Sequence, residues 1–290
     1  MLAMYKKELA CYLRNVSGFV YAAFTLLVIG IYTFAISLSS ASSHFEYVYY
    51  NCSFIFLIAV PILTMRAIAE ERRQKTDQLL YSLPVSTTQI VLGKYFAMLT
   101  VFAVPVFVTC LYPLFLRAFD PSGLLSYSAI YTAVLAFLFL GAALLAIGMF
   151  MSSLTENQII SAILSFAVML ICYLMSQLKD MMPATSGAAM IGLTVIILLL
   201  AVLVWFLTRN ITAAWLLCLI LEVPIIVIMF VKHELLEGLL PKVFGTLSVF
   251  ERFYVFANGI FDFKALIYFA SIAFLFVFFT VQSMEKRRWS

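Results

Sequence analysis

Long apolar runs separated by short polar punctuation make up most of this chain. The runs fall at roughly 17–38, 52–68, 95–116, 128–151, 158–176, 189–207, 212–231 and 265–282, eight in all. Each reaches or approaches the ~18–20 residues that a helix rising ~1.5 Å per residue needs to cross ~30 Å of hydrocarbon. The pattern predicts an all-α polytopic membrane protein with six to eight transmembrane helices. A transmembrane barrel would instead show segments of about ten residues alternating apolar and polar. Only TRNIT, Thr208 to Thr212, joins the sixth and seventh runs. The alternative to eight spans is therefore six, with 186–231 as a re-entrant hairpin.

Two amphipathic pieces flank the runs. In residues 1–16, MLAMYKKELACYLRNV, the positions Leu2, Tyr5, Leu9, Tyr12, Leu13 and Val16 recur at helical spacing, with Lys6, Lys7 and Arg14 off that stripe. This predicts a helix lying in the membrane surface. Within 232–264, Phe250, Phe253, Tyr254, Ala257 and Phe261 repeat in the same way, an aromatic face expected at the outer interface.

The longest polar stretch is EERRQKTDQLLYSLPVSTTQIVLGK, Glu70 to Lys94, within the segment 69–94 between the second and third runs. Over 66–83, Thr76, Leu79, Leu80 and Leu83 share one helical stripe, and Glu71 and Lys75 stand at the i, i+4 spacing of an ion pair. Pro84 closes that helix. Ser86 followed by Gln89 has capping-box spacing before the third run. The segment is expected to be a rigid elbow: a helix, a break and a capped helix start.

Composition narrows the class. The chain of 290 residues is 65% hydrophobic and 11% charged, with a mean hydropathy of +1.09. Soluble domains run near ~25% charged. The net charge of +4 is small, and its placement matters more than its size. With the N-terminus inside, most of the 18 Lys and Arg share a side with both termini, as the positive-inside rule requires. That distribution offers no nucleic-acid surface. The five cysteines are odd in number, scattered and without a CxxC, which excludes a disulfide framework or a metal knuckle. The first run is longer than the ~7–15 residues of a cleaved signal core and reads as a retained span.

Candidate chemistry is sparse. There is no GxSxG and no HExxH. His233 and Glu237, like His44 and Glu46, lack a third ligand at metal-binding spacing. A P-loop needs G-x-x-x-x-G-K-[ST]. Around Gly93-Lys94, Thr88 fills the earlier glycine position and Tyr95 the hydroxyl position, so no nucleotide site is encoded there. Glu222 is the one acidic residue deep in an apolar run, with Pro224 beside it. An intramembrane carboxylate costs at least ~2.5 kcal/mol unless paired, protonated or facing a cavity, so Glu222 is a transport-pathway candidate. In the fourth run, Gly141, Ala142, Ala146 and Gly148 would let a neighbouring helix come close. The SSLTEN turn after it is a candidate second contact on the inner side.

The polar elbow resembles the loop between the second and third spans of type-2 ABC transporter permeases. That loop typically reads E, a few residues, G-T, L-L, then P, Ser or Thr, and I-V-L-G-K. Glu70 and Glu71, Thr76, Leu79 and Leu80, Pro84, Ser86 and Ile90 to Lys94 match, while Lys75 stands where the family usually has glycine. The opening KKELACYLRN is similar to the interfacial start of these permeases. The finish, FANGIFDFKALIYF to EKRRW, is similar to the gliding-motility-type branch.

The resemblance implies a transmembrane permease subunit of the exporter class in the bacterial cytoplasmic (inner) membrane, with both termini inside and no enzyme activity of its own. Its elbow would dock on a separate ABC ATP-binding subunit through Glu70, Glu71, Arg72, Thr76 and Leu80. The implied partners are two copies of that ATPase, a second permease copy or related permease, and membrane lipids, with no nucleic acid. No cofactor is expected on this chain, ATP and Mg2+ belonging to the ATPase. The substrate would be a lipid, peptide, drug or glycan. The competing reading is an ion-coupled secondary transporter using Glu222. A membrane-embedded enzyme would need several polar side chains at one membrane depth.

Overall fold

Helix is the only regular structure among the residues described by the computed structural model, which are 1–39, 44–77, 80, 84–117, 126–208, 211–231 and 236–288. In chain order these helices are α1 (Leu2–Arg14), α2 (Val16–Tyr32), α3 (Glu46–Cys52), α4 (Phe56–Thr64), α5 (Ala69–Arg73), α6 (Thr87–Thr109), α7 (Tyr112–Leu116), α8 (Tyr127–Leu154), α9 (Gln158–Met181), α10 (Ser186–Thr208), α11 (Ile211–Val231), α12 (Leu239–Leu247), α13 (Val249–Ala257) and α14 (Phe263–Arg288). A π-helical stretch, Thr33–Leu38, prolongs α2, and a 3₁₀ turn, Ser53–Ile55, joins α3 to α4.

Among the described residues, six helical stretches are long and apolar enough to cross a membrane: Gly18–Leu38, Glu46–Arg73, Thr87–Leu116, Tyr127–Leu154, Gln158–Lys179 and Phe263–Arg288. Shorter apolar stretches, Ser186–Leu198 and Trp215–Met229, lie within α10 and α11. The chain is a polytopic, all-α membrane protein.

Contacts divide it into two units: Met1–Ile171 with Val249–Ser290, and Cys172–Ser248. In the first, α8 is the central helix and packs against α4, α6, α13 and α14. Its small residues permit this. A Cβ added at Gly141 would lie 2.3 Å from Phe102 Cζ, and one at Gly148 2.5 Å from Thr64 Oγ1, approaches that only glycine allows. Phe137 on the same helix centres an aromatic cluster, with ring centroids 4.7 Å from Phe56, 5.3 Å from Tyr49 and 5.9 Å from Phe253.

That cluster changes the expectation for the aromatic face of 250–261. Phe250, Phe253 and Ala257 are buried, and α13 packs against α8 and α3. Tyr254 and Phe261 stay exposed. The stripe is mostly core, because the rings of α3, α4 and α8 offer it a partner surface. Leu2, Leu13 and Val16 are exposed, whereas Glu8 is buried and α1 packs along α6.

In the second unit, α10 packs along α11, and α12 lies against α10. Ala189, Leu236 and Leu240 form a small core there. Gly192 admits Leu240, whose Cδ1 would be 2.7 Å from an added Cβ.

Candidate functional site: a braced elbow

The elbow begins where the chain leaves α4 and turns into α5. A helix of five residues cannot satisfy its own first N–H groups. Here Ser152 Oγ, from the C-terminal turn of α8, accepts both Ile68 N–H at 3.2 Å and Ala69 N–H at 3.1 Å. The same hydroxyl reaches Met65 O at 3.4 Å. Arg72, buried, donates through Nη1 to the Ser153 carbonyl, which Ser283 Oγ of α14 also reaches at 3.3 Å. The SSLTEN turn expected as a second contact is thus a socket for α5. Arg287 of α14 pairs with Glu156 of that turn. The hydrogen bond from Arg287, together with its charge, holds the exposed Glu156 carboxyl below its usual value.

The helix expected over 66–83 does not run through. It stops at Arg73, where Thr76 N–H donates to Glu71 O at 2.9 Å and Lys75 N–H to Arg72 O at 3.1 Å. This pair of bonds is a Schellman C-cap, which needs a left-handed residue at its fifth position. Lys75 fills it, with φ 57°. The one departure from the permease-like pattern therefore falls where a residue other than glycine costs ~1–2 kcal/mol of backbone strain. Lys75→Gly is expected to raise the thermal unfolding midpoint of the purified chain, by an amount equivalent to about 1 kcal/mol. A lower midpoint would contradict this account of the turn.

The i, i+4 pairing of Glu71 with Lys75 gives way to a stronger one. Glu71 Oε1 lies 2.7 Å from Lys94 Nζ and 3.8 Å from Lys7 Nζ. Lys94 is 2% exposed, and its ammonium also donates to Glu8 Oε1 at 3.2 Å and to Ala67 O at 2.9 Å. Its three protons thus have three acceptors, as a buried ammonium requires. The capping box places it: Ser86 Oγ accepts Gln89 N–H at 3.3 Å, starting α6 as the spacing predicts, and Lys94 sits in the second turn.

On the other side, α1 lies close against α6. A Cβ at Gly93 would be 2.9 Å from Met4 Cβ, and the Tyr5 and Thr100 hydroxyls are 3.0 Å apart. Tyr12 donates to Leu63 O at 3.2 Å. Burial, and then the nearby Glu8, push its phenol well above the usual range, so it remains a donor. One buried lysine ties α1, the elbow and α6 together. A polar cavity of about 300 Å³ lies beside it, with Lys7, Tyr12, Arg66 and Glu70 among its walls.

The five proposed coupling residues therefore divide by role. Glu71 and Arg72 point inward as braces, Leu80 is buried, and Thr76 closes the cap. Glu70 is half-buried and accepts from Gln74 Nε2 at 3.3 Å. Arg73, Gln74 and Lys75 are the exposed residues at the tip. Leu79 and Leu83 lie outside the described residues. Glu8, absent from the expected set, is part of the central ion-pair cluster.

Glu222 belongs to the other unit. It lines a cleft of about 390 Å³ whose remaining described walls are aliphatic or aromatic side chains and Cys218. His233 lies outside the described residues, and Glu237 sits in the turn before α12. His44 Nδ1 is 2.8 Å from Glu46 Oε1. No group of three metal-ligating side chains occurs among the described residues.

No curated protein matches the chain. A family model described as ABC-2 family transporter protein matches residues 3–217. That span takes in α1, the elbow with its socket, and most of the candidate spans, and amounts to well over half of the 290 residues. The chain therefore belongs to the ABC-2 transporter family, as a membrane permease subunit of an ABC transporter.

Proposed function

We propose that this permease is the membrane half of an ATP-driven exporter and that the elbow carries force from a separate ATP-binding subunit into the spans. The observation that supports this reading is the double anchoring of the elbow. Ser152 and Ser153 hold α5 against α8, and Glu71 holds it through Lys94 to α6 and α1. A push at the exposed tip of Arg73, Gln74 and Lys75 therefore reaches two spans through short polar contacts. In this reading the tip meets the ATPase, with Glu70 and Thr76 at its margin, while Glu71, Arg72 and Leu80 transmit.

The working unit takes two ATP-binding subunits, which hold ATP and Mg2+, and a second copy of this permease or a related one. It sits in the bacterial cytoplasmic membrane, with both termini and the elbow on the cytoplasmic side and lipid around the spans. It exports a lipid, peptide, drug or glycan, with Glu222 on the pathway. The gliding-motility branch rests on the tail from Phe256, which lies beyond the matched residues and gains no support from the match.

The test is purification of the full-length chain from its native membrane with identification of co-purifying proteins, followed by charge reversal at the tip, Arg73→Glu with Lys75→Glu. An ATP-binding subunit is expected to co-purify, and the reversed chain is expected to fold normally but lose at least tenfold of its coupled ATPase activity. Transport that proceeds without any ATPase and collapses with a proton or sodium gradient would favour the secondary-transporter reading instead.

A further inference from the structure

The cleft of the second unit sets an unusual chemical condition. About 390 Å³ lies within the range of small-molecule pockets, ~300–1,000 Å³. Leu198, Val202 and Trp205 of α10 face Trp215, Leu219 and Ile226 of α11 across it. Among the described residues Glu222 is the only charged one on these walls, and its carboxylate has no hydrogen-bond or ion-pair partner among them. It stands seven residues after Trp215 and four before Ile226, on the helical stripe that lines the cleft.

Each class of occupant meets this surface differently. An acyl chain or other neutral apolar molecule would cover the hydrocarbon and leave the carboxylate unanswered in an apolar setting, which is costly. An anionic amphiphile would bring like charge to Glu222. A cation with hydrocarbon around it satisfies both features, because the carboxylate supplies the counter-charge and indole faces attract cations through their quadrupole. Two indoles, Trp205 and Trp215, line the same cleft.

We infer that the cleft between α10 and α11 binds a lipophilic cation, an organic ammonium or phosphonium type of molecule, with its charge at Glu222 and its apolar groups against the tryptophans and aliphatic walls. This deepens the exporter reading by naming a substrate class, and it rests on that reading only for what happens to the ligand after binding. Occupancy itself needs no ATPase.

The experiment compares two ions of nearly the same shape and opposite charge, tetraphenylphosphonium and tetraphenylborate, on the purified full-length chain in detergent. Two of the three tryptophans in the sequence line the cleft, so intrinsic fluorescence reports occupancy directly once Trp289→Phe removes the third. Tetraphenylphosphonium is expected to quench saturably, and tetraphenylborate is not. In Glu222→Gln the apparent affinity for the cation is expected to fall at least tenfold, with helicity by circular dichroism unchanged. Equal saturable binding of both ions, or unaltered cation binding by a folded Glu222→Gln chain, would overturn the inference. If that variant does not fold, the contrast between the two ions on the chain with intact Glu222 decides the question alone. Failure to co-purify an ATPase would count against the exporter reading and leave this binding result standing.

Discussion

Lys94→Met is expected to destabilise the purified chain by about 3 kcal/mol or more, the cost of breaking a buried ion pair from one side. Lys94 is itself buried, and the carboxylates of Glu8 and Glu71 are only 11% and 15% exposed, so neither acid can recover its hydration. Without the ammonium, the two carboxylates keep only the exposed Lys7, 3.5 Å from Glu8 and 3.8 Å from Glu71, as a counter-charge, and Ala67 O loses its donor as well. The check is the thermal unfolding midpoint in detergent, alongside the ATPase activity of the assembled complex. Lys94→Arg keeps the charge but replaces a point-like ammonium with a planar fork that does not match three convergent acceptors, so a smaller loss is expected. The decisive variant combines Glu8→Gln, Glu71→Gln and Lys94→Met. Most of the lost stability should return once the stranded charges are gone, while coupling stays low because the tie between α1, the elbow and α6 is still missing. A triple variant as unstable as Lys94→Met would show that packing, and not charge, holds this site together.

How much of this cluster was legible in the sequence differs from residue to residue. The spans were readable because an apolar run in lipid is a property of composition and length alone. The start of α6 was readable for a local reason: Ser86 caps the helix it precedes by accepting the N–H of Gln89 in the first turn. The spacing pairs Glu71 with Lys75, whereas the structure pairs it with Lys94, since the i, i+4 rule knows only neighbours on one helix and the helix ends at Arg73, two residues before Lys75. Lys94 is 23 positions beyond Glu71 and 86 beyond Glu8, and nothing in periodicity joins them before the fold does. Glu8 carried a faint signal. It falls between Tyr5 and Tyr12 on the face that packs against α6, yet beside Lys6 and Lys7 it reads as part of a wet surface. The aromatic stripe of α13 was assigned to an interface for a similar reason: its spacing was right, but the surface it would meet was not visible in its own sequence. Lys75 shows the converse, where a departure from a family pattern marked a real backbone constraint, φ 57°.

Ser152→Ala is expected to separate coupling from folding. The substitution removes one oxygen atom from the end of α8, yet that oxygen accepts two N–H groups, from Ile68 and Ala69, both fully or almost fully buried. Each buried donor left unmatched costs about 1–3 kcal/mol. No water can replace the oxygen without a cavity wider than the one it leaves. A helix of five residues has too little cooperativity to hold itself against that loss, since isolated helices need about 12–15 residues even to be marginal. The elbow should therefore fray while the spans, held by α8 and its aromatic cluster, remain assembled. Hydrogen exchange gives the direct readout: amides 68–73 are expected to exchange at least tenfold faster in Ser152→Ala, with α6 and α8 unchanged. Coupled ATPase activity is expected to fall in parallel. Ser283→Ala is the control, because it removes a hydrogen bond to Ser153 O from the same region but leaves both amides of α5 capped. If it raised exchange at 68–73 as much as Ser152→Ala does, or if Ser152→Ala left those amides protected, the force path from elbow to α8 would have to run through Arg72 alone.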